Sequence, residues 1–202
     1  MTAFEKEEAS KLEAILNAAQ KKFGQFGLNK TTMSDIASEM GMGKASIYYY
    51  FPNKEALYEA VIVKEQEHFL QEFSKSIKPS TNATNLLKTY SKKRVALFES
   101  CFNLSKISGD ALVSTVPCIK RLVEDFAKKE TSLLASVLDL GVQNGEFQTV
   151  DVQEKADLLV ALTSGLRLLA KKRRALLEKE DYAVLNKYMT QTFDMFIKSI
   201  QS

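Results

Sequence analysis

At 202 residues and 22.7 kDa, with 45% hydrophobic and 26% charged residues, the chain can bury a real core as one compact unit or as a small domain joined to a larger one. A net charge of +3 is too small to argue for nucleic-acid binding by itself, and with two cysteines and one histidine the composition excludes a disulfide scaffold and a metal-ligand cluster. No apolar run approaches the roughly 20 residues of a membrane helix, and Phe4 to Glu8 are mixed and acidic rather than basic then apolar, so a cytoplasmic protein is expected, with no membrane partner.

In chain order, Leu12, Ile15, Leu16, Ala19, Phe23 and Phe26 repeat at three and four, which predicts an amphipathic helix from about Lys6 to Phe26, ended by Gly27. A more informative stretch runs from Thr32 to Lys54. Thr32 is expected to cap a short helix, with Asp35 near its positive end and Ile36, Ala37 and Met40 on one face. Gly41 and Gly43 end that helix, both read as glycines that supply the left-handed conformations of a tight turn. A second short helix follows from about Lys44 to Tyr50. Ile47, Tyr50 and Phe51 face inward, which leaves Lys44, Ala45, Ser46, Tyr48 and Tyr49 outside. Phe51-Pro52 stops it, and Asn53 caps the next helix, with Lys54 and Glu55 in its first turn.

Two short helices joined by a glycine turn are the layout of a helix-turn-helix, whose second helix enters a DNA major groove. The outward surface suits that task, because small residues admit the helix, hydroxyls reach phosphates and a lysine reaches phosphate or guanine. The first 55 residues hold seven lysines and seven acids, a net of zero; between Lys21 and Lys54, five lysines face two acids. That local excess of three would double in a dimer.

Beyond the motif, Leu57, Tyr58, Val61, Ile62, Phe69, Leu70, Phe73 and Ile77 continue a helix of about 24 residues, spanning roughly 36 Å, closed by Pro79 to Asn82. Further helices are predicted over Asn82 to Ser105, Asp110 to Thr115, Pro117 to about Gln143 (stopped by Asn144-Gly145), from Asp151 to the cations Lys171 to Arg174, and from about Asp181 onward. Those four cations read as a solvated helix end that complements the dipole. Leu158, Leu159, Val160, Leu162, Leu166, Leu168 and Leu169 leave little polar surface, so their helix must be covered on both sides. The last helix repeats Tyr182, Leu185, Met189, Phe193, Phe196 and Ile200. No strand pattern is present, so the class is all-α. His68 reads as an ordinary packed or surface residue, and Cys101 and Cys118 as small hydrophobes.

The chain resembles the tetracycline-repressor (TetR) family of bacterial transcription regulators. The resemblance lies in Phe23-Gly24-Gln25-Phe26-Gly27, Thr31-Thr32, Ile36-Ala37, Gly41 through Phe51, and Asn53-Lys54-Glu55-Ala56-Leu57, roughly the first quarter of the chain, with weaker similarity near Gly145-Glu146-Phe147 and Gly165-Leu166. Met42 and Gly43 stand where the family more often has valine and serine. The resemblance implies a three-helix DNA-binding domain over residues 1–53 and a helical effector-binding and dimerisation domain over 54–202. It carries Thr32, Tyr48 and Lys54 over as DNA backbone anchors, and Lys44, Ala45, Ser46 and Tyr49 as base-facing or groove-facing positions. It also implies a small-molecule pocket in the body.

Arg94, between Tyr90 and Phe98 on a largely apolar face with Cys101 and Phe102 a turn on, is the residue that hints at pocket chemistry, favouring an anionic or carbonyl-bearing ligand. The alternative is an arginine whose stem packs while its head reaches water; Arg167 poses the same choice. The two apolar C-terminal helices suggest a four-helix contact between two subunits, through Leu158, Leu162, Leu166, Leu169, Met189, Phe193 and Phe196, rather than the core of a monomer. No catalytic arrangement, cofactor motif or nucleotide-binding glycine loop is present. The expectation is a dimeric repressor released from a palindromic operator on double-stranded DNA by a small molecule. A protein-interaction module, or a non-specific DNA-binding protein with the same head, is the alternative.

Overall fold

The structure is a computed structural model and describes residues 2–78, 81–100, 117–172 and 179–201. Eight helices account for nearly all of these: α1 (Ala3–Lys30), α2 (Met33–Glu39), α3 (Lys44–Tyr50), α4 (Lys54–Ser74), α5 (Ala83–Ser100), α6 (Pro117–Gln143), α7 (Val152–Lys172) and α8 (Lys179–Ile200). Two compact units divide within α4, residues 1–65 forming the head and 66–202 the body. The predicted helix over Asp110 to Thr115, together with Pro79, Cys101 and Phe102, lies outside the described residues.

In the head, α1 begins earlier than periodicity indicates because Thr2 and Glu5 form a reciprocal capping box, Thr2 N donating to Glu5 Oε2 at 2.7 Å and Glu5 N to Thr2 Oγ1 at 3.2 Å. Gly27 breaks the helix with φ +77°, and Thr31, buried, donates its hydroxyl to the Gly27 carbonyl at 2.8 Å. Ile15, Ala19 and Phe23 carry the buried stripe, whereas Leu12 and Phe26 of the same periodic set are exposed. The core closes over Ile36, Ile47, Leu57 and Val61, with Phe23 edge-on to Tyr58 at 5.0 Å. Lys64 ties α4 to α1 by donating to Glu13 Oε1 at 2.5 Å and Asn17 Oδ1 at 2.7 Å.

In the body, α6 packs on α7, α8 packs on α5 and α7, and α5 also meets α6. Tyr90, fully buried, is the aromatic centre, with Phe73 at 5.2 Å, Phe193 at 5.8 Å and Phe69 at 5.9 Å between ring centres. α6 ends in a Schellman turn: Gly145 has φ +72°, Glu146 N donates to the Gly141 carbonyl at 2.9 Å and Gly145 N to that of Val142 at 3.1 Å. The turn aims Glu146 at α5, where its carboxylate accepts from Ala83 N at 2.7 Å and Thr84 N at 3.1 Å, capping that helix from 63 residues away in sequence. Asp151 caps α7, accepting from Gln153 N and Glu154 N. No described helix is long and apolar enough to cross a membrane.

Candidate nucleic-acid interface and effector-site residues

Thr32 N-caps α2 and does so reciprocally. Its hydroxyl donates to Asp35 Oδ2 at 2.7 Å and accepts from Asp35 N at 3.2 Å, while Thr32 N donates to the same carboxylate at 2.8 Å. The hydroxyl and amide of Thr32 hold the Asp35 carboxyl below its ordinary range. A phosphate at Thr32 therefore competes with Asp35 for that hydroxyl proton. α2 ends in a Schellman turn, with Met42 N donating to the Ala37 carbonyl at 2.9 Å, Gly41 N to that of Ser38 at 3.2 Å, and Gly41 at φ +64°. Gly43 differs from expectation: as N-cap of α3 it sits at φ −70°, ψ 142°, an extended conformation open to any residue. The turn needs one left-handed glycine, not two.

The turn of an α-helix, about 3.6 residues, then sorts the seven residues of α3. Ile47 is fully buried and anchors the helix, Phe51 follows it into the core, and Tyr50 is half-buried. Lys44, Ala45 and Ser46 are exposed; Tyr48 is 42% and Tyr49 75% exposed, which is unusual for rings that could have packed. Lys44 Nζ lies 5.5 Å from the centre of the Tyr48 ring one turn on, so the cation and the phenol present together. Tyr49 stands edge-on to Tyr50 at 5.1 Å, its hydroxyl 3.5 Å from Glu8 Oε1. Lys54, half-buried, opens α4 beside Asn53, whose Oδ1 accepts from Ala56 N at 2.7 Å. All seven proposed DNA-contacting residues thus belong to the head, at the starts of α2 and α4 and along the outer face of α3.

Lys21 and Lys22 both bind Glu39, at 2.6 Å and 2.9 Å, and hold its carboxyl down to about 2. That three-charge knot ties α1 to the end of α2, so these two lysines serve the architecture of the head. Spacing alone could not reveal it, because the partners are 17 and 18 residues apart.

The body residues singled out for ligand contact divide. Tyr90 and Arg94 are buried together on α5, and Arg94 does not reach water: it pairs with Glu130 of α6, Nη2 donating to Oε2 at 2.8 Å and Nε meeting Oε1. Glu130 was not anticipated, since a lone glutamate on a long helix carries no local signal. Phe98 lies on α5, and Cys101 and Phe102 are outside the described residues. The residues expected at a subunit contact divide as well. Leu158, Leu162 and Leu169 are exposed, the last at 62%, and Leu166 is half-buried. Met189, Phe193 and Phe196, by contrast, face inward and form core with α5, so within one chain they offer almost no area to a partner. The large exposed apolar residues of α8 are Val184, Tyr188 and Met195.

Comparisons with known proteins bear on this arrangement. Residues 15–61 match the family model described as bacterial regulatory proteins, tetR family. A transcriptional regulator from Cytophaga hutchinsonii, known by crystal structure, is 44% identical, with a TM-score of 0.86 over 95% of this chain and 99% of that one. Two more distant crystal structures share the fold at 21% identity: a regulator from Saccharomonospora viridis in complex with choline (TM-score 0.72; 96% of this chain, 99% of that one), and FadR from Bacillus subtilis in complex with stearoyl-CoA (TM-score 0.70; 90% and 96%).

Proposed function

Since the chain belongs to the TetR family of bacterial transcription regulators and is not an enzyme, we propose that it acts in the cytoplasm as a homodimeric repressor that leaves a palindromic operator when a small molecule enters the body. The observation that carries the DNA-binding part is the outer face of α3, where Lys44, Ala45, Ser46, Tyr48 and Tyr49 are exposed while Ile47 locks the helix into the head. Thr32 and Lys54 flank that face as phosphate anchors, and the exposed positions of α3 meet base edges.

A seven-residue helix reads few base pairs, so selectivity requires two copies about 34 to 36 Å apart on successive major grooves. The surface proposed to hold them there is apolar and on two consecutive helices. Leu158, Leu162 and Leu169 on α7 and Val184, Tyr188 and Met195 on α8 repeat the same spacing of four and seven residues, which is one helical face each, and all six are exposed in a single chain. A second copy is the occupant this reading commits to: two pairs of helices then form a four-helix contact.

Ligand response is proposed from the two distant relatives, of which one holds choline and the other stearoyl-CoA. α4 starts in the head unit and ends in the body unit. A ligand that favours one position of α4 shifts the separation of two heads, and affinity for the operator falls by the ligand's preference for that state.

The test is selection of bound sequences from a random DNA pool with the purified protein, then a salt titration on the selected site. A palindrome with half-sites about one helical turn apart and a steep salt slope is the expected result. Recovery of no preferred sequence would leave the head as a non-specific or protein-binding module.

A further inference from the structure

The outer faces of α7 and α8 carry charges that the chain leaves unmatched, and those charges have opposite sign. Asp157 stands one residue before Leu158 on α7, and Lys187 one residue before Tyr188 on α8. Both are exposed, and among the described residues neither enters an ion pair; the Asp157 carboxylate accepts only from Gln153 Nε2, at 3.5 Å. Charges around them are engaged: Glu154 by Lys155 at 3.2 Å, Asp194 by Lys88 at 3.5 Å, and Lys128 by Asp125 at 3.6 Å.

Asp157 also lines a cleft of about 490 Å³ between α6 and α7, together with Ala127 and Thr131 of α6 and Val160 and Ala161 of α7. Thr131 is 6% exposed, and among the described residues nothing hydrogen-bonds its hydroxyl. Small apolar side chains beside a carboxylate and a spare hydroxyl suit a lysine, whose stem packs while its ammonium donates.

Which lysine fits is fixed by geometry. Gln148 N donates to the Ile200 carbonyl at 2.8 Å, so α7 starts beside the end of α8, and the two packed helices run antiparallel. Asp157 lies near that shared end and Lys187 beyond the middle of the pair. Each charge also stands about 100° around its helix from the stripe residue that follows it, and because the helices oppose, that step turns in opposite senses. On α7 it leads to the α6 side, where the cleft is; on α8 it leads away from α7. The two charges thus occupy opposite edges and opposite halves of one face. A twofold axis through the centre of that face exchanges both, which brings Lys187 of one copy over Asp157 of the other. Lys198, near the end of α8, is carried by the same axis to the far end of that edge.

We infer that a second copy docks antiparallel on this face, with Lys187 of each copy entering the α6–α7 cleft of the other and pairing with Asp157. The inference rests on reading the chain as a homodimer, and it adds what sets the register and selects the partner. Apolar stripes alone accept many helices; the paired charges admit one that brings a cation to that edge.

The experiment uses the full-length protein without DNA. Wild type, Asp157→Lys, Lys187→Asp and the chain carrying both changes are compared by sedimentation equilibrium at low salt. Each single change turns two attractions into two repulsions and raises the dimer Kd by about tenfold, and the double change returns it to near the wild-type value. Mixing the two single variants restores both pairs, so native mass spectrometry finds heterodimers well above the half that random assortment gives, and the excess shrinks as salt rises. Acetylation of lysines in the wild-type dimer is slower at Lys187 than at Lys198, and Asp157→Lys abolishes the difference. Single variants that dimerise like wild type, random assortment of the mixture, or equal labelling of the two lysines would overturn the inference. A monomeric wild type overturns it together with the homodimer reading, whereas a wild-type dimer indifferent to these charges overturns this pairing alone.

Discussion

The turn between α2 and α3 offers a paired perturbation in which two neighbouring glycines respond with opposite sign. Gly43 has an extended backbone, caps α3 without any side-chain hydrogen bond, and has no atom within 4 Å of where a Cβ would stand. Gly43→Ser therefore adds a capping hydroxyl worth a few tenths of a kcal/mol over glycine and restricts the unfolded chain by about 0.4–1 kcal/mol, a net gain of about 0.5–1 kcal/mol. Gly41 also has an open surrounding, but its φ is +64° and two backbone hydrogen bonds depend on that conformation. Gly41→Ser consequently costs about 1–2 kcal/mol. For a chain of this size the difference corresponds to several degrees of melting temperature, about 2–4 °C per kcal/mol. Thermal unfolding by circular dichroism reads both variants, and hydrogen exchange of the α3 amides shows whether the effect is local. If Gly43→Ser destabilises as much as Gly41→Ser, the turn is not the one described and the exposed face of α3 loses its support.

Four further outcomes follow from the same geometry. Leu162→Arg should leave the melting of an isolated chain nearly unchanged, because the position is exposed, yet cost a dimer about 3–5 kcal/mol per buried charge; sedimentation equilibrium checks it, and an unaltered dimer would move the contact elsewhere. Lys54→Ala should weaken all DNA sequences alike and lower the salt slope by about one per subunit, whereas Lys44→Ala should also relax the preferred sequence, as competition binding on matched and mismatched sites will show. Glu39 is held at about 2 against an ordinary 4.5, so its pairing with Lys21 and Lys22 stabilises the head above pH 4.5 and the contribution is lost as pH falls toward 2; wild type should exceed Glu39→Gln in melting temperature at neutral pH, and the gap should close in acid. Gly141→Ala would drive a Cβ to 2.1 Å from the Phe147 ring and 3.0 Å from Ala83, and Phe147, itself 2% exposed, has little room to retreat, so chemical denaturation should show a loss of about 1–3 kcal/mol.

The head was legible because what defines it is local. Thr32 and Asp35 are three residues apart, Gly41 follows its helix directly, and the inward set of Ile47, Tyr50 and Phe51 is one helical face. Even the earlier start of α1 had a local signal, the Thr2 to Glu5 capping box, which a search for apolar periodicity passes over. Gly43 was misjudged for a related reason: glycine permits a left-handed conformation without requiring one, and composition cannot tell permission from need. Pairings between distant positions left no such trace. Glu39 with Lys21 and Lys22, Glu130 with Arg94, and Glu146 with the backbone amides at the start of α5 each join groups whose own sequence neighbourhoods carry no signal.

The two C-terminal helices show where helical periodicity stops being enough. On α8, Leu185, Met189, Phe193 and Phe196 form one apolar stripe and Val184, Tyr188 and Met195 another, displaced by about 100° around the axis. α7 repeats the division, with Leu159 and Val160 inward and Leu158, Leu162 and Leu169 outward. Period identifies both stripes as apolar, but which of them the chain covers itself depends on where α5 and α6 lie, and that is fixed by contacts far apart in sequence. The expectation that α7 is covered on both sides holds within the chain for one side alone, since Leu158, Leu162 and Leu169 remain exposed. Met189, Phe193 and Phe196, expected at a subunit contact, are instead buried within the chain, because apolar content alone does not say which of two stripes the chain covers itself. The physical preference runs the other way: the larger, more apolar side chains are buried within the subunit, where they must stay covered at every concentration, and the smaller or amphipathic Val184, Tyr188 and Met195 stay exposed, which is why the proposed contact with a second copy is drawn on them.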